Sequence, residues 1–177
     1  MTLTIGFVSG FLVADDSMLA AYDESFEKYN IEHGNFTLSS EASESTIKKI
    51  EEKGDVRICK NFYRDESVDT DLDGTENGTI RIYQDRTDMD LVCLMKGEMP
   101  QAKNEIAIDR MYADNNSLTV GDKIKVGGEE LSITGLIALS DYSCLFSNNS
   151  DMMFDAVKFG VAIMTEEGAD QFGTTHL

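Results

Sequence analysis

The chain has 177 residues, and its 41% hydrophobic and 27% charged content excludes both a disordered chain and a bundle of membrane helices. Fifteen Lys and Arg against 33 Asp and Glu give a formal net charge of −18. So acidic a surface repels phosphate backbones and anionic lipid headgroups, which argues against a nucleic-acid partner and against a peripheral membrane-binding face.

The two ends of the chain are unusual in composition. Residues 1–14 carry no charge, yet they are too few to span a bilayer and lack the basic start of a signal peptide. Two interpretations stay open: a buried first strand or helix start, and the trailing end of a transmembrane helix. Residues 173–177 show no capping pattern, which also fits a cut chain.

The first half of the chain predicts two helices followed by strands. Apolar spacing predicts an amphipathic helix over about 17–30, and a second helix over 43–53 that Ser43 caps and Gly54 stops. The remaining predictions in this half are strands, at 36–38, at 56–64, at about 80–83 and at 91–95. The last of these is apolar on both faces, so we expect a central, well-covered strand with Cys93 as a small core residue.

The stretch from Gly97 to Ile137 predicts a compact β-rich unit. Its predicted elements are a strand at 105–108, a helix at 110–115, and strands at 123–126 and 129–133. Gly127-Gly128 predicts a two-residue hairpin turn between the last two strands, because both turn positions need a positive φ. A polar loop at 140–155, a strand at 157–163 and a helix opened by Thr165 complete the chain.

This order of elements predicts an α+β fold with a β insertion. We assign residues 1–95 and 138–177 to one α+β lobe and residues 96–137 to an inserted β-rich lobe.

Short catalytic and cofactor motifs are missing from the sequence. Cys59, Cys93 and Cys144 show no CxxC spacing, His33 and His176 have no second ligand nearby, and no phosphate-binding or nucleophile motif occurs. We expect three buried or half-buried thiols. We also expect no enzyme activity, and we assign no catalytic, cofactor-binding or metal-binding residue.

One acidic segment leaves two interpretations open. Residues 69–77 read Asp-Thr-Asp-Leu-Asp-Gly-Thr-Glu-Asn, which places oxygen ligands at positions 1, 3 and 5 of a calcium loop and Gly at position 6. Position 12, where a Glu normally completes the shell, is Ile80, and predicted strands replace the flanking helices. The segment is therefore either a solvated hairpin loop or a calcium site formed by Asp69, Asp71 and Asp73.

Four motifs between residues 97 and 137 carry a resemblance to a known family. They are Gly97-Glu98-Met99-Pro100, Asn104-Glu105-Ile106-Ala107-Ile108, Leu118-Thr119-Val120-Gly121-Asp122-Lys123-Ile124 and Gly135-Leu136-Ile137. Together they resemble the extracellular (periplasmic-type) domain of FtsX/MacB-like ABC transporter permeases. The segment from Gly6 to Asn35 is similar to the stretch that follows the first membrane helix in that family.

The resemblance implies a fold, a function and a location. The fold is a porter-like mixed α/β lobe with an inserted small, sabre-like β-rich lobe. The function is non-catalytic binding of a substrate or partner and mechanical coupling to ATP hydrolysis on a separate cytoplasmic ATP-binding subunit, reached through the membrane helices of the full-length protein. The location is the extracellular face of the bacterial cell membrane, facing an unknown ligand or protein partner. The alternative is a free-standing secreted or surface binding module, with or without calcium at residues 69–77.

Overall fold

The computed structural model describes residues 17–36, 38, 42–148 and 150–173. Within them, helix α1 covers residues 17–29, and the other helices are α2 (Glu44–Gly54), α3 (Arg110–Asn115) and α4 (Glu166–Asp170). The strands are β1 (Tyr63–Asp69), β2 (Gly78–Gln84), β3 (Cys93–Gly97), β4 (Glu105–Asp109), β5 (Lys123–Val126), β6 (Glu129–Ala138) and β7 (Phe159–Met164). A single 3-10 turn, Ser140–Tyr142, follows β6.

Six of these strands form a closed barrel. Around the ring, β1 pairs with β2, β2 with β7, β7 with β4, and β4 with β6. Strand β5 pairs with both β6 and β1, which closes the ring. The β2–β7 and β4–β6 pairs are parallel and the others are antiparallel. Strand β3 lies outside the ring. It pairs with the second half of β6, along the same edge whose first half pairs with β5.

The barrel overturns the predicted fold class. An α+β fold made of a porter-like lobe and an inserted sabre-like lobe is wrong, because the described residues form a mostly β fold with a closed six-stranded barrel and four short helices. The prediction failed because periodicity shows which residues form strands but not which strands pair. The predicted boundaries at 95/96 and 137/138 fall inside β3 and β6.

Some predicted elements are confirmed. Helix α3 and strand β5 begin and end as predicted, and Gly127 and Gly128 form the hairpin turn with φ of 55° and 92°. Ser43 caps α2 by accepting a hydrogen bond from the N–H of Thr46. Helix α2 ends one residue later than expected, because Asp55 rather than Gly54 takes the left-handed conformation, with φ 49°.

Other predicted elements are wrong or displaced. The strand predicted over 56–64 begins only at Tyr63, and the last strand begins at Phe159. Strand β3 is not central: within the described part of the chain it pairs with β6 alone, and Leu94 and Met95 are exposed. Phe36 and Leu38 are in no strand. The expectations for residues 1–14, 37 and 174–177 lie outside the described residues.

Strand β7 is the most buried element of the barrel. All six of its residues are buried, because α3 and α4 pack on it and β2 and β4 flank it. Burial on both faces explains its continuous apolar sequence. Gly160 in this strand lies directly against the ring of Tyr112 on α3, so that a Cβ there would be 2.5 Å from the Tyr112 Cγ.

We expect Gly160→Ala to lower the free energy of unfolding by about 1–3 kcal/mol, because the added methyl group overpacks the contact with Tyr112. Urea denaturation measures this. Tyr112→Phe is the matched control: the Tyr112 hydroxyl is buried and has no hydrogen-bond partner among the described residues. Its removal should leave stability unchanged or raise it. Equal stability of Gly160→Ala and the wild type would contradict the packing described here.

Asp109 connects β4 to α3 and caps the helix. Its carboxylate accepts a hydrogen bond of 3.0 Å from the N–H of Tyr112, although the residue is only 5% exposed. Burial raises the pKa of Asp109 above its usual range, against the lowering effect of the backbone N–H groups of Tyr112 and Met111. The folded state therefore holds this proton to a higher pH than the unfolded chain does.

We expect the stability of the wild type to fall relative to Asp109→Asn as the pH rises from about 4, the unfolded-state pKa, through the raised folded-state pKa. Asparagine keeps the cap but has no charge to bury. Asp109→Ala, which loses the cap as well as the charge, should be about 0.5–2 kcal/mol less stable than Asp109→Asn throughout this range. Urea denaturation between pH 4 and 8 tests both expectations. If the free energies of unfolding of the wild type and Asp109→Asn changed with pH in the same way, the raised pKa would be contradicted.

Candidate functional site

The acidic segment forms the connection between β1 and β2 at the place where the barrel closes. Asp69, the last residue of β1, pairs with Lys125 on β5. Its neighbour Val68 pairs with Val126 and is fully buried. Asp69 is itself only 3% exposed, because it lies at this closure of the ring.

Backbone and side-chain hydrogen bonds order the loop. Asp69 Oδ2 accepts a hydrogen bond of 2.8 Å from the N–H of Gly74, and Asp73 Oδ1 accepts one of 2.7 Å from the N–H of Thr75. The Asn77 amide donates to the hydroxyl of Thr70 at 2.8 Å. Together these bonds fold the loop back over the end of β1.

The fold brings three carboxylates together. One carboxylate oxygen from each of Asp69, Asp71 and Asp73 lies within 4.8 Å of the others, with Asp69 buried and the other two exposed. Burial alone would raise the pKa of Asp69, but hydrogen bonds, chiefly that from the Gly74 N–H, lower it below its usual range. The second oxygen of Asp69, Oδ1, is buried and has no hydrogen-bond partner in the described part of the chain.

The loop matches the predicted calcium pattern in part. Positions 1, 3 and 5 converge, and Gly74 at position 6 has φ 91°, a conformation that favours glycine. Ile80 at position 12 is fully buried in β2 and supplies no oxygen. The nearby Glu76 accepts a hydrogen bond of 2.5 Å from the Ser67 hydroxyl. Any cation in the loop would therefore complete its coordination with backbone oxygens or water.

A second polar cluster, which the sequence did not predict, joins β2 to the 3-10 turn after β6. Arg86 makes a bidentate ion pair with Asp141, in which both nitrogen–oxygen distances are 2.9 Å. The Arg86 side chain is only 6% exposed and that of Asp141 13%. The Arg86 guanidinium also lies 4.4 Å from the centre of the Tyr83 ring. The partners are 55 residues apart in sequence, so no local pattern signals the contact.

The same cluster continues along the barrel wall. The Tyr83 and Tyr142 hydroxyls are 2.7 Å apart, and Arg81 donates to Tyr142 at 3.1 Å and to both oxygens of Asp65 at 2.7 and 2.8 Å. Burial and the neighbouring Tyr142 raise the pKa of Tyr83. This network fixes the turn against β1 and β2.

A polar groove of about 340 Å³ opens beside Arg86, between residues 57–62 and 84–90. At its wall, the buried Asp90 carboxylate accepts hydrogen bonds from the N–H of Glu32 at 3.0 Å and from the Ser140 hydroxyl at 3.2 Å. Burial, with Asp90 and Asp141 nearby, raises the pKa of Glu32. The groove is lined by both acidic and basic side chains, which suits a polar ligand.

Among the described residues, the three cysteines and His33 belong to no cluster that could hold a metal ion. Cys59, Cys93 and Cys144 are all free. Cys59 is half-buried, as expected. Cys93 is also half-buried, at the edge of the sheet and not in the core as predicted, and Cys144 is exposed, which corrects the prediction for that thiol. His33 is exposed, and His176 lies outside the described residues.

Comparison of the chain with protein-family models, with curated proteins and with solved structures found no match in any of the three. Among the described residues, no helix is both long enough and apolar enough to cross a membrane.

We expect Asp141→Ala to cost about 3–5 kcal/mol of stability, because it leaves the buried Arg86 cation without its partner. Adding Arg86→Met should recover part of that loss by removing the uncompensated charge. The exposed Arg110–Asp114 pair on α3 is the control, and Asp114→Ala should change stability by at most about 0.5 kcal/mol. Chemical denaturation of the four proteins tests this. A loss below about 1 kcal/mol for Asp141→Ala would contradict a structural role for the pair.

Proposed function

We propose that the chain is the extracytoplasmic domain of an ABC transporter permease of the FtsX/MacB type. In this role it is a non-catalytic module that binds a substrate or partner outside the cell membrane. It couples that binding mechanically to ATP hydrolysis on a separate cytoplasmic subunit. The observation that carries the proposal is the resemblance in sequence of the four motifs in residues 97–137 to that family. The barrel differs from the fold that the resemblance implies, so the proposal rests on the motifs and not on the architecture.

Two of the three glycines of the motifs, Gly97 and Gly135, lie where two chain segments cross closely. A Cβ on Gly97, which has φ 80°, would be 2.2 Å from the carbonyl oxygen of Thr134. A Cβ on Gly135 would be 2.6 Å from the carbonyl oxygen of Glu98. Neither position accepts a side chain without moving backbone, so these glycines are needed for β3 to pair with β6.

The polar and apolar motif residues are equally constrained. The Glu105 carboxylate accepts hydrogen bonds from the N–H groups of Gln101 at 2.7 Å and Ala102 at 3.1 Å, which orders the turn before β4. Ile106 and Ile108 are fully buried. The Asp122 carboxylate accepts from the N–H of Thr119 at 2.7 Å. The resemblance therefore rests on residues that determine the fold rather than on a catalytic motif.

The physical properties of the domain suit mechanical coupling. A closed barrel has few free edges along which strands can slip, and the buried Arg86–Asp141 pair ties the turn after β6 to the segment that follows β2. Such a body moves as a unit when a force acts on one side. The net charge of −18 suits exposure to solvent outside an anionic membrane surface.

Cys144 provides a native reporter for the location, because its thiol is exposed. We expect a membrane-impermeant maleimide to label Cys144 of the full-length gene product equally in intact and in permeabilised bacterial cells, after mild reduction. Cys144→Ser is the control that isolates this thiol from every other cysteine of the protein.

Two outcomes would overturn the proposal. Labelling of Cys144 only after permeabilisation would place the domain in the cytoplasm. Recovery of the labelled protein from the culture medium, with none in the membrane fraction and no ATP-binding subunit copurifying, would favour the free-standing secreted module.

A further inference from the structure

The buried, unpartnered oxygen of Asp69 requires an explanation. Buried side-chain oxygens nearly always have a hydrogen-bond partner or coordinate an ion, because desolvation without either is costly. Asp69 Oδ1 has no hydrogen-bond partner in the described residues, while Oδ2 of the same carboxylate accepts from Gly74. The residue is held there by the pairing of β1 with β5, so it cannot rotate freely into solvent.

Two more carboxylates lie close to that of Asp69. Oxygens of Asp71 and Asp73 lie within 4.8 Å of an oxygen of Asp69. Ligands on opposite sides of a calcium ion are about 4.6–5.2 Å apart, twice the usual calcium–oxygen distance, so this cluster has the right size. The loop itself, from Asp69 to Glu76, contains four acidic residues and no Lys or Arg, so it concentrates negative charge.

We propose that the β1–β2 loop binds one calcium ion through the carboxylates of Asp69, Asp71 and Asp73. Water and backbone oxygens complete the coordination, since Ile80 occupies the position of the usual closing Glu. A site with three carboxylates and no bidentate ligand is expected to have a Kd of about 0.1–1 mM, the range of extracellular calcium modules. Magnesium should bind at least about tenfold more weakly, because it demands octahedral geometry and gives up its water reluctantly.

The test is a calcium titration of the purified chain monitored by ¹H–¹⁵N NMR, with the Gly74 amide as reporter. This amide donates to Asp69 and should shift saturably as the carboxylate gains an ion. Potassium chloride at matched ionic strength gives the effect of screening alone. This experiment does not depend on the transporter assignment, because it needs neither a membrane nor an ATPase.

The informative variant is Asp71→Asn with Asp73→Asn, which leaves the buried Asp69 in place and changes only exposed side chains. We expect its Kd for calcium to rise at least tenfold. Asp23→Asn with Glu24→Gln is the matched control: it removes the same two charges from exposed positions of α1 and should keep the wild-type Kd.

Three results would overturn the proposal. The first is a drift of the Gly74 signal that does not saturate and that potassium chloride reproduces. The second is a saturable shift that persists unchanged in the Asp71→Asn, Asp73→Asn variant. The third is magnesium binding as tight as calcium binding, which would reject the assignment to calcium.

Discussion

Closure of the barrel between β1 and β5 is the constraint on which the rest of the structure depends. Only two residue pairs form it, Val68 with Val126 and Asp69 with Lys125. One more hydrogen bond of 2.8 Å, from the N–H of Gly127 to the carbonyl of Ser67, extends it. Without this closure Val68 and Val126 would meet water, and each buried valine contributes about 1.5–3 kcal/mol through burial. A short junction therefore keeps two fully buried side chains in the core.

The same junction couples the barrel to the acidic loop. Asp69 ends β1, takes part in the closure and opens the loop, so its carboxylate position follows from the strand pairing. The Gly127-Gly128 turn contributes from the other side by directing β5 back along β6. A change in charge at the loop therefore acts directly on a junction of only two residue pairs.

The sequence predicts short, locally determined elements well. Helix α3, strand β5 and the Gly127-Gly128 turn follow from capping, alternation and backbone preference, all of which act within a few residues. The spacing of Asp69, Asp71 and Asp73 also indicated a carboxylate cluster, since loop geometry is local.

Features that depend on distant residues could not be predicted. The apolar run around Cys93 was expected in the centre of a sheet and lies at its edge, because apolar content does not reveal neighbours. The burial of Asp69 results from pairing with a strand more than fifty residues later. The pairing of Arg86 with Asp141 likewise has no local signal.

The position of β7 has a consequence for how the chain folds. Residues 159–164 insert between β2 and β4, parallel to one and antiparallel to the other, although both of those strands are made much earlier. During synthesis the edges of β2 and β4 that pair with β7 keep their backbone N–H and C=O groups unpaired until this late segment leaves the ribosome. Folding is therefore dominated by contacts between distant parts of the chain. Such contacts form slowly, and the intermediate that precedes them is prone to aggregate. Among the described strands, β7 is thus the last that the barrel can acquire as the chain is made.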